Sequence, residues 1–166
     1  MTIKILLFLL LSCSSPINWQ TYTDKINHFT IKYPDGWEQR TAVNTVGFLS
    51  PREDDKDLFQ ENVNLMLQDL SQKPMTVDQY TELTKKQVID NLGASAIISL
   101  KNITLSGQQA KEFVYNMDYQ GRNLKVKQVW FIKGNTAYLF TYTAHKDKYE
   151  EYLDLGTQTI NSFKFF

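Results

Sequence analysis

One cysteine and two histidines are all that this 166-residue chain offers for thiolate or imidazole chemistry: Cys13, His28 and His145. A zinc-type site using both histidines needs their two segments side by side and at least one carboxylate. A Ser-His-Asp arrangement has to recruit one of the same two histidines, and no Gly-x-Ser-x-Gly turn accompanies either. The acidic run from Arg52 to Asp57 (REDDKD) places Asp55 and Asp57 at a calcium-loop offset. Phe59, however, takes the next ligand position and no glycine follows. That run reads as a solvated acidic loop. There is no glycine-rich phosphate loop. The expectation is a protein with no metal site, no cofactor and no catalytic residue, and hence not an enzyme.

Charge narrows the partners. Lys plus Arg equals Asp plus Glu at 18 each, so no whole-molecule field favours nucleic acid. Locally, Lys125 and Lys127 project from one face of an expected strand. Arg122 is near them, and Lys85-Lys86 lie on an expected helix. The pattern fits a phosphate or a partner protein and also fits a plain solvated sheet face. Lys125 and Lys127 are the candidate partner surface.

Cys13 has a different role. It ends an apolar run, Ile5 to Leu11 (ILLFLLL), that follows Lys4. As a helix, Ile3 to Leu11 would span about 14 Å, against about 30 Å of bilayer hydrocarbon. The run is therefore too short for a membrane span and suits the apolar part of a signal peptide. Leu10-Leu11-Ser12-Cys13 resembles the bacterial lipobox, in which the leader is cut before a cysteine that carries diacylglycerol. Leucine at the second position of the box is tolerated, though it is not the commonest residue there. The resemblance implies residues 1–12 as signal peptide, Cys13 as the lipidation site and 13–18 as a tether. Removal of the leader leaves no other thiol, so disulfides and cysteine-based metal or redox sites are excluded. Two or three acyl chains, at about 0.8 kcal/mol per buried CH₂, hold a protein stably on a membrane.

The elements that carry these residues follow from periodicity. Aromatics reach 13% of the chain, which favours a sheet-rich fold. Alternation predicts strands at His28–Tyr33, Val46–Leu49 and Glu61–Leu70, the last with Val63, Leu65 and Leu67 on one side. Phe113, Tyr115, Met117 and Tyr119 share a face on a further strand, and Leu124, Val126, Trp130 and Ile132 share one on the next. Gly134-Asn135 suits a type II′ hairpin before Tyr138, Phe140 and Tyr142. Thr76 and Gln79 have capping-box spacing, so a helix should run from there to Gly93 with Val77, Tyr80, Leu83, Val88 and Leu92 in one stripe. A second helix is expected from Asp147 to about Asn161, with Tyr149, Tyr152, Leu153, Gly156 and Ile160 inward. Trp37, Trp130, Phe113 and Phe140 should be core. Residues 19–166 read as a single α+β domain.

The segment FTIKYPDGW, Phe29 to Trp37, resembles the N-terminal signature of PsbP-like domains. The stretch from Tyr138 to Phe165, with YLFTYTAHKDKYEEYLDL and INSFKF, resembles the closing strand and helix of the same family. That fold family includes an extrinsic photosystem II protein, a nuclear-transport factor that binds the Ran GTPase, and many bacterial lipoproteins. The resemblance implies an antiparallel sheet packed between helices, an αβα sandwich. It also implies a binding or assembly module in the cell envelope, whose partners are the membrane and another envelope protein. Two alternatives stay open: a small envelope hydrolase or transferase with an unrecognised site around His28 or His145, and a carrier of an apolar ligand held between sheet and helix.

Overall fold

The computed structural model describes residues 17–166, so Cys13 and the apolar run before it lie outside the described residues. Two sheets form. Strands β1 (Trp19–Asp24), β2 (Phe29–Pro34) and β10 (Lys164–Phe165) make a small antiparallel sheet in the order β1-β2-β10. The large sheet is built from β3 (Glu38–Ala42), β4 (Thr45–Leu49), β5 (Asn62–Asp69), β6 (Ile97–Leu105), β7 (Gln108–Tyr119), β8 (Arg122–Lys133) and β9 (Thr136–His145). Its order is β3-β4-β5-β9-β8-β7-β6, with every neighbouring pair antiparallel.

Helix α1 (Val77–Leu92) starts where the capping residues put it. Thr76 Oγ1 accepts from the Gln79 backbone at 3.2 Å, and Gln79 Oε1 accepts from the Thr76 backbone at 2.9 Å. Gly93 at φ 85° ends it with a conformation that suits glycine. α1 covers one face of the large sheet. Tyr80 and Val88 pack there on Phe113, Tyr115, Val126 and Trp130, and the Trp130 indole N–H donates to Thr81 Oγ1 at 3.2 Å. Leu83, expected in the inward stripe, is 39% exposed, and Thr81 takes the buried position instead.

Helix α2 (Tyr149–Asn161) and the small sheet cover the opposite face. Phe29, Ile31 and Tyr33 of β2 meet Phe48, Leu65, Phe131, Phe140 and Tyr142 there, with Ile160 from α2 and Phe163 just after it. The sheet is thus sandwiched between α1 on one side and α2 on the other, as the sequence predicts. Gly134 has φ 60° between paired Lys133 and Thr136, as the first central position of the expected II′ turn requires. Trp37, Trp130, Phe113 and Phe140 are all buried. Four strands, β1, β3, β6 and the two-residue β10, were not legible in the sequence pattern. Among the described residues no helix is long and apolar enough to cross a membrane.

Candidate functional site

Pro51 has no backbone N–H to donate, and β4 stops just before it. The chain then loops out and returns at β5. Ser50 N donates to Glu61 O at 2.8 Å and Gln60 Nε2 to Ser50 O at 2.6 Å, closing the mouth of the loop. Its acids are used on its own backbone: Asp54 Oδ1 accepts from Lys56 N and Asp57 N at 2.7 and 2.9 Å. Asp57 accepts from Glu53 N and Phe59 N, each at 3.1 Å.

This loop leans on the start of α2. Glu53 receives Lys148 Nζ at 2.9 Å and the Tyr152 hydroxyl at 2.9 Å. Those two donors hold its carboxyl below the ordinary glutamate value, and the Lys148 ammonium is correspondingly pushed up. Between loop, α2 and the β7–β8 turn opens a cleft of about 390 Å³. Glu53, Asp57, Glu61, Arg122, His145 and Lys148 line it.

At this cleft lies Glu61, only 3% exposed. Its Oε1 accepts from the His145 backbone N–H at 3.3 Å. Burial pushes its carboxyl above the ordinary glutamate value. The backbone donors of Glu61 itself and His145 oppose that shift, while the negative Asp57 and Glu53 add to it. The sequence held a signal for this residue: Glu61 is in phase with the inward Val63, Leu65 and Leu67.

The two histidines part company. His145, at the end of β9, lines the cleft, with its Nδ1 3.8 Å from Asp147 Oδ2. His28 is a turn residue at φ 54° between β1 and β2, where its ring meets the Phe166 ring edge-on at 5.9 Å. Among the described residues, no group of three His, Cys, Asp or Glu is arranged to hold a metal ion.

Lys125 and Lys127 stand elsewhere than on an open sheet face, because α2 crosses the face they project from. Lys127 Nζ is 2.9 Å from Glu112 Oε2 and 3.2 Å from Thr157 Oγ1, with 12% of its side chain exposed. Lys125 Nζ pairs with Glu150 at 2.8 Å and sits 4.0 Å above the Tyr149 ring. Both ammonium groups are engaged with this chain. The space an apolar ligand would need between sheet and α2 is filled by rings: Phe163 lies 5.1 Å from Phe29 and from Phe140, and Phe131 stacks on Tyr138 at 4.9 Å.

With this architecture in hand, the wider comparisons decide the lineage. The family model described as PsbP-like protein matches residues 11–165. The chain belongs to the PsbP-like family. Among solved structures it is similar to cyanobacterial PsbP (CyanoP) from Synechocystis sp. PCC 6803, with TM-score 0.62, 18% identity and coverage of 95% of this chain and 99% of that one. PA94 from Pseudomonas aeruginosa is similar at TM-score 0.63 and 16% identity, over 87% of this chain and 94% of that one. LpqN of Mycobacterium tuberculosis, which is involved in cell envelope biogenesis, is similar at TM-score 0.56 and 14% identity, over 90% and 91%. At such identities the likeness concerns the fold. None of the curated proteins matches the PsbP-like chain.

Proposed function

We propose that this PsbP-like protein is an exported, lipid-anchored binding or assembly module of the cell envelope, without chemistry of its own. The observation that carries the reading is how the cleft uses its charges. Glu53 is tied to Lys148 and Tyr152, Asp54 and Asp57 to loop backbone, and Glu61 to the His145 backbone. These groups fix a shape and leave a contoured surface for another molecule to meet. The lipobox-like Cys13 supports a membrane address, and LpqN's part in envelope biogenesis supports the compartment.

One observation favours a second reading. His145 shares its cleft with Glu53, Asp57 and Glu61, the combination a hydrolase or transferase would use. A strain lacking the protein, complemented with the double variant His28→Ala, His145→Ala, separates the two. A binding module restores the wild-type phenotype. Loss of function in a folded double variant would overturn the module and favour the enzyme.

A further inference from the structure

The outer face of the small sheet carries a tryptophan and two lysines. On β1 and β2, Gln20, Tyr22 and Asp24 share the inward side with Phe29, Ile31 and Tyr33, which turns Trp19 and Lys32 outward. β10 adds Lys164 opposite Thr30, on the same outward side. The C-terminal end of α2 borders this face, and together they enclose an open cleft of about 390 Å³. It is lined by Trp19, Lys32, Gln158, Asn161, Ser162 and Lys164.

Three features bear on what this cleft would hold. Lys32 and Lys164 are exposed and, like several other lysines of the chain, have no carboxylate within ion-pair distance among the described residues; here two such ammonium groups line one cleft whose lining includes no Asp or Glu. Asp35, at the same end of the sheet, turns its carboxylate to Gln20 Nε2 at 2.7 Å. The carbonyl end of α2, partly satisfied by the Ser162 backbone N–H, carries about half a negative charge, which the two full positive charges of Lys32 and Lys164 outweigh. Trp19 is the half-exposed member of the chain's three tryptophans, Trp37 being 7% exposed and Trp130 0%. Indole at a polar–apolar boundary buries its ring while keeping its N–H wet.

Position decides what this face meets. Trp19 opens the first strand, and a fully extended chain from Cys13 to Trp19 spans at most about 21 Å. A domain of this size is about 40 Å across. The face bearing Trp19 is therefore the side nearest the anchor point. We propose that this face rests on the bilayer, with Lys32 and Lys164 meeting the phosphates of anionic lipid headgroups and Trp19 entering the interface. The geometry rests on the anchoring reading of Cys13. The charge pattern does not.

The test uses the full chain isolated from membranes and reconstituted into vesicles with brominated acyl chains, made either of phosphatidylglycerol or of phosphatidylcholine. Because the other two tryptophans are buried, quenching of the exposed fluorescence component reports Trp19. Strong quenching is expected in phosphatidylglycerol vesicles. It should fall to the phosphatidylcholine level in the double variant Lys32→Gln, Lys164→Gln and at high salt, with the melting temperature unchanged. Mass spectrometry of the same preparation reads the acyl chains on Cys13 independently. An acylated protein whose Trp19 is unquenched, or whose quenching ignores lipid charge and the two lysines, overturns the face and leaves the anchor standing; this is also the result for a face that serves a protein partner. An unacylated protein that still shows lysine-dependent quenching overturns the anchor and keeps the face.

Discussion

Gly156 lets α2 lie directly on the ring of Tyr142: a Cβ at position 156 would stand 2.7 Å from Tyr142 Cδ2 and 2.9 Å from Cγ. The ring is pinned from its other end, because the Tyr142 hydroxyl donates to the Tyr149 carbonyl at 2.8 Å. This close approach seats the first turn of α2, and with it Lys148 and Tyr152, which hold the loop at the cleft.

Gly156→Ala therefore sets two effects against each other. Alanine improves helix propensity by about 1 kcal/mol, while overpacking a fixed ring costs about 1–3 kcal/mol. The pinned ring makes the second effect larger, so the variant should be less stable by roughly 1–2 kcal/mol. Chemical denaturation measures this. A variant as stable as wild type would show that α2 slides off the ring at no cost.

Glu61 makes stability depend on pH in a definite direction. Its carboxyl is raised in the folded state, so folding favours the protonated form. The associated stability is fully present below the unfolded value near 4.5 and is lost as pH rises through the raised native value. Glu61→Gln keeps an acceptor for the His145 N–H and removes the buried charge. The variant should melt above wild type at pH 7, with the gap closing by about pH 4. An equal gap at both values would mean that the charge is not what burial penalises.

Lys127 tests what α2 does to the sheet beneath it. Its partner Glu112 is 18% exposed, and Lys101 approaches Glu112 only to 3.9 Å from the other side. Removing one member of a fully buried pair costs about 3–5 kcal/mol, and the residual exposure here lowers that. Lys127→Met should cost about 2 kcal/mol and Lys127→Glu more, since it sets two carboxylates together. Lys73→Glu, on an exposed turn, should stay within about 0.5 kcal/mol of wild type in the same urea titration. Equal stability for all three variants would restore Lys127 to the surface.

The legible parts of this fold were those whose signal is local. Thr76 and Gln79 announce α1 within four residues, and Phe29, Ile31 and Tyr33 announce β2 by parity alone. β3 (EQRTA) is exposed at every position, so no buried apolar residue marks its period. β6 is an edge strand with a register shift between Ile97 and Ser99, which breaks the alternation a reader would follow. The cleft was invisible for another reason. Glu53 and Tyr152 are 99 positions apart, and nothing in either neighbourhood records the other. Lys127 misled in the same way, since its face is covered by a helix that returns thirty residues later to place Thr157 beside it.

The last prediction concerns Cys13, the one residue whose proposed chemistry can be checked by mass. The chain holds a single thiol, so any acyl mass on a cysteine belongs to it. Wild-type protein should partition into detergent and carry a diacylglycerol-sized increment. Cys13→Ala should leave folding intact, because the elements that build both cores begin at Trp19, and should shift the protein to a soluble or unprocessed pool. Two or three acyl chains hold a protein on a membrane far more durably than one, so the shift in fractionation should be nearly complete. Unmodified Cys13 in protein purified from membranes would end the anchoring proposal, and membrane retention of a Cys13→Ala protein whose mass shows the leader removed would hand the role to the sheet face at Trp19.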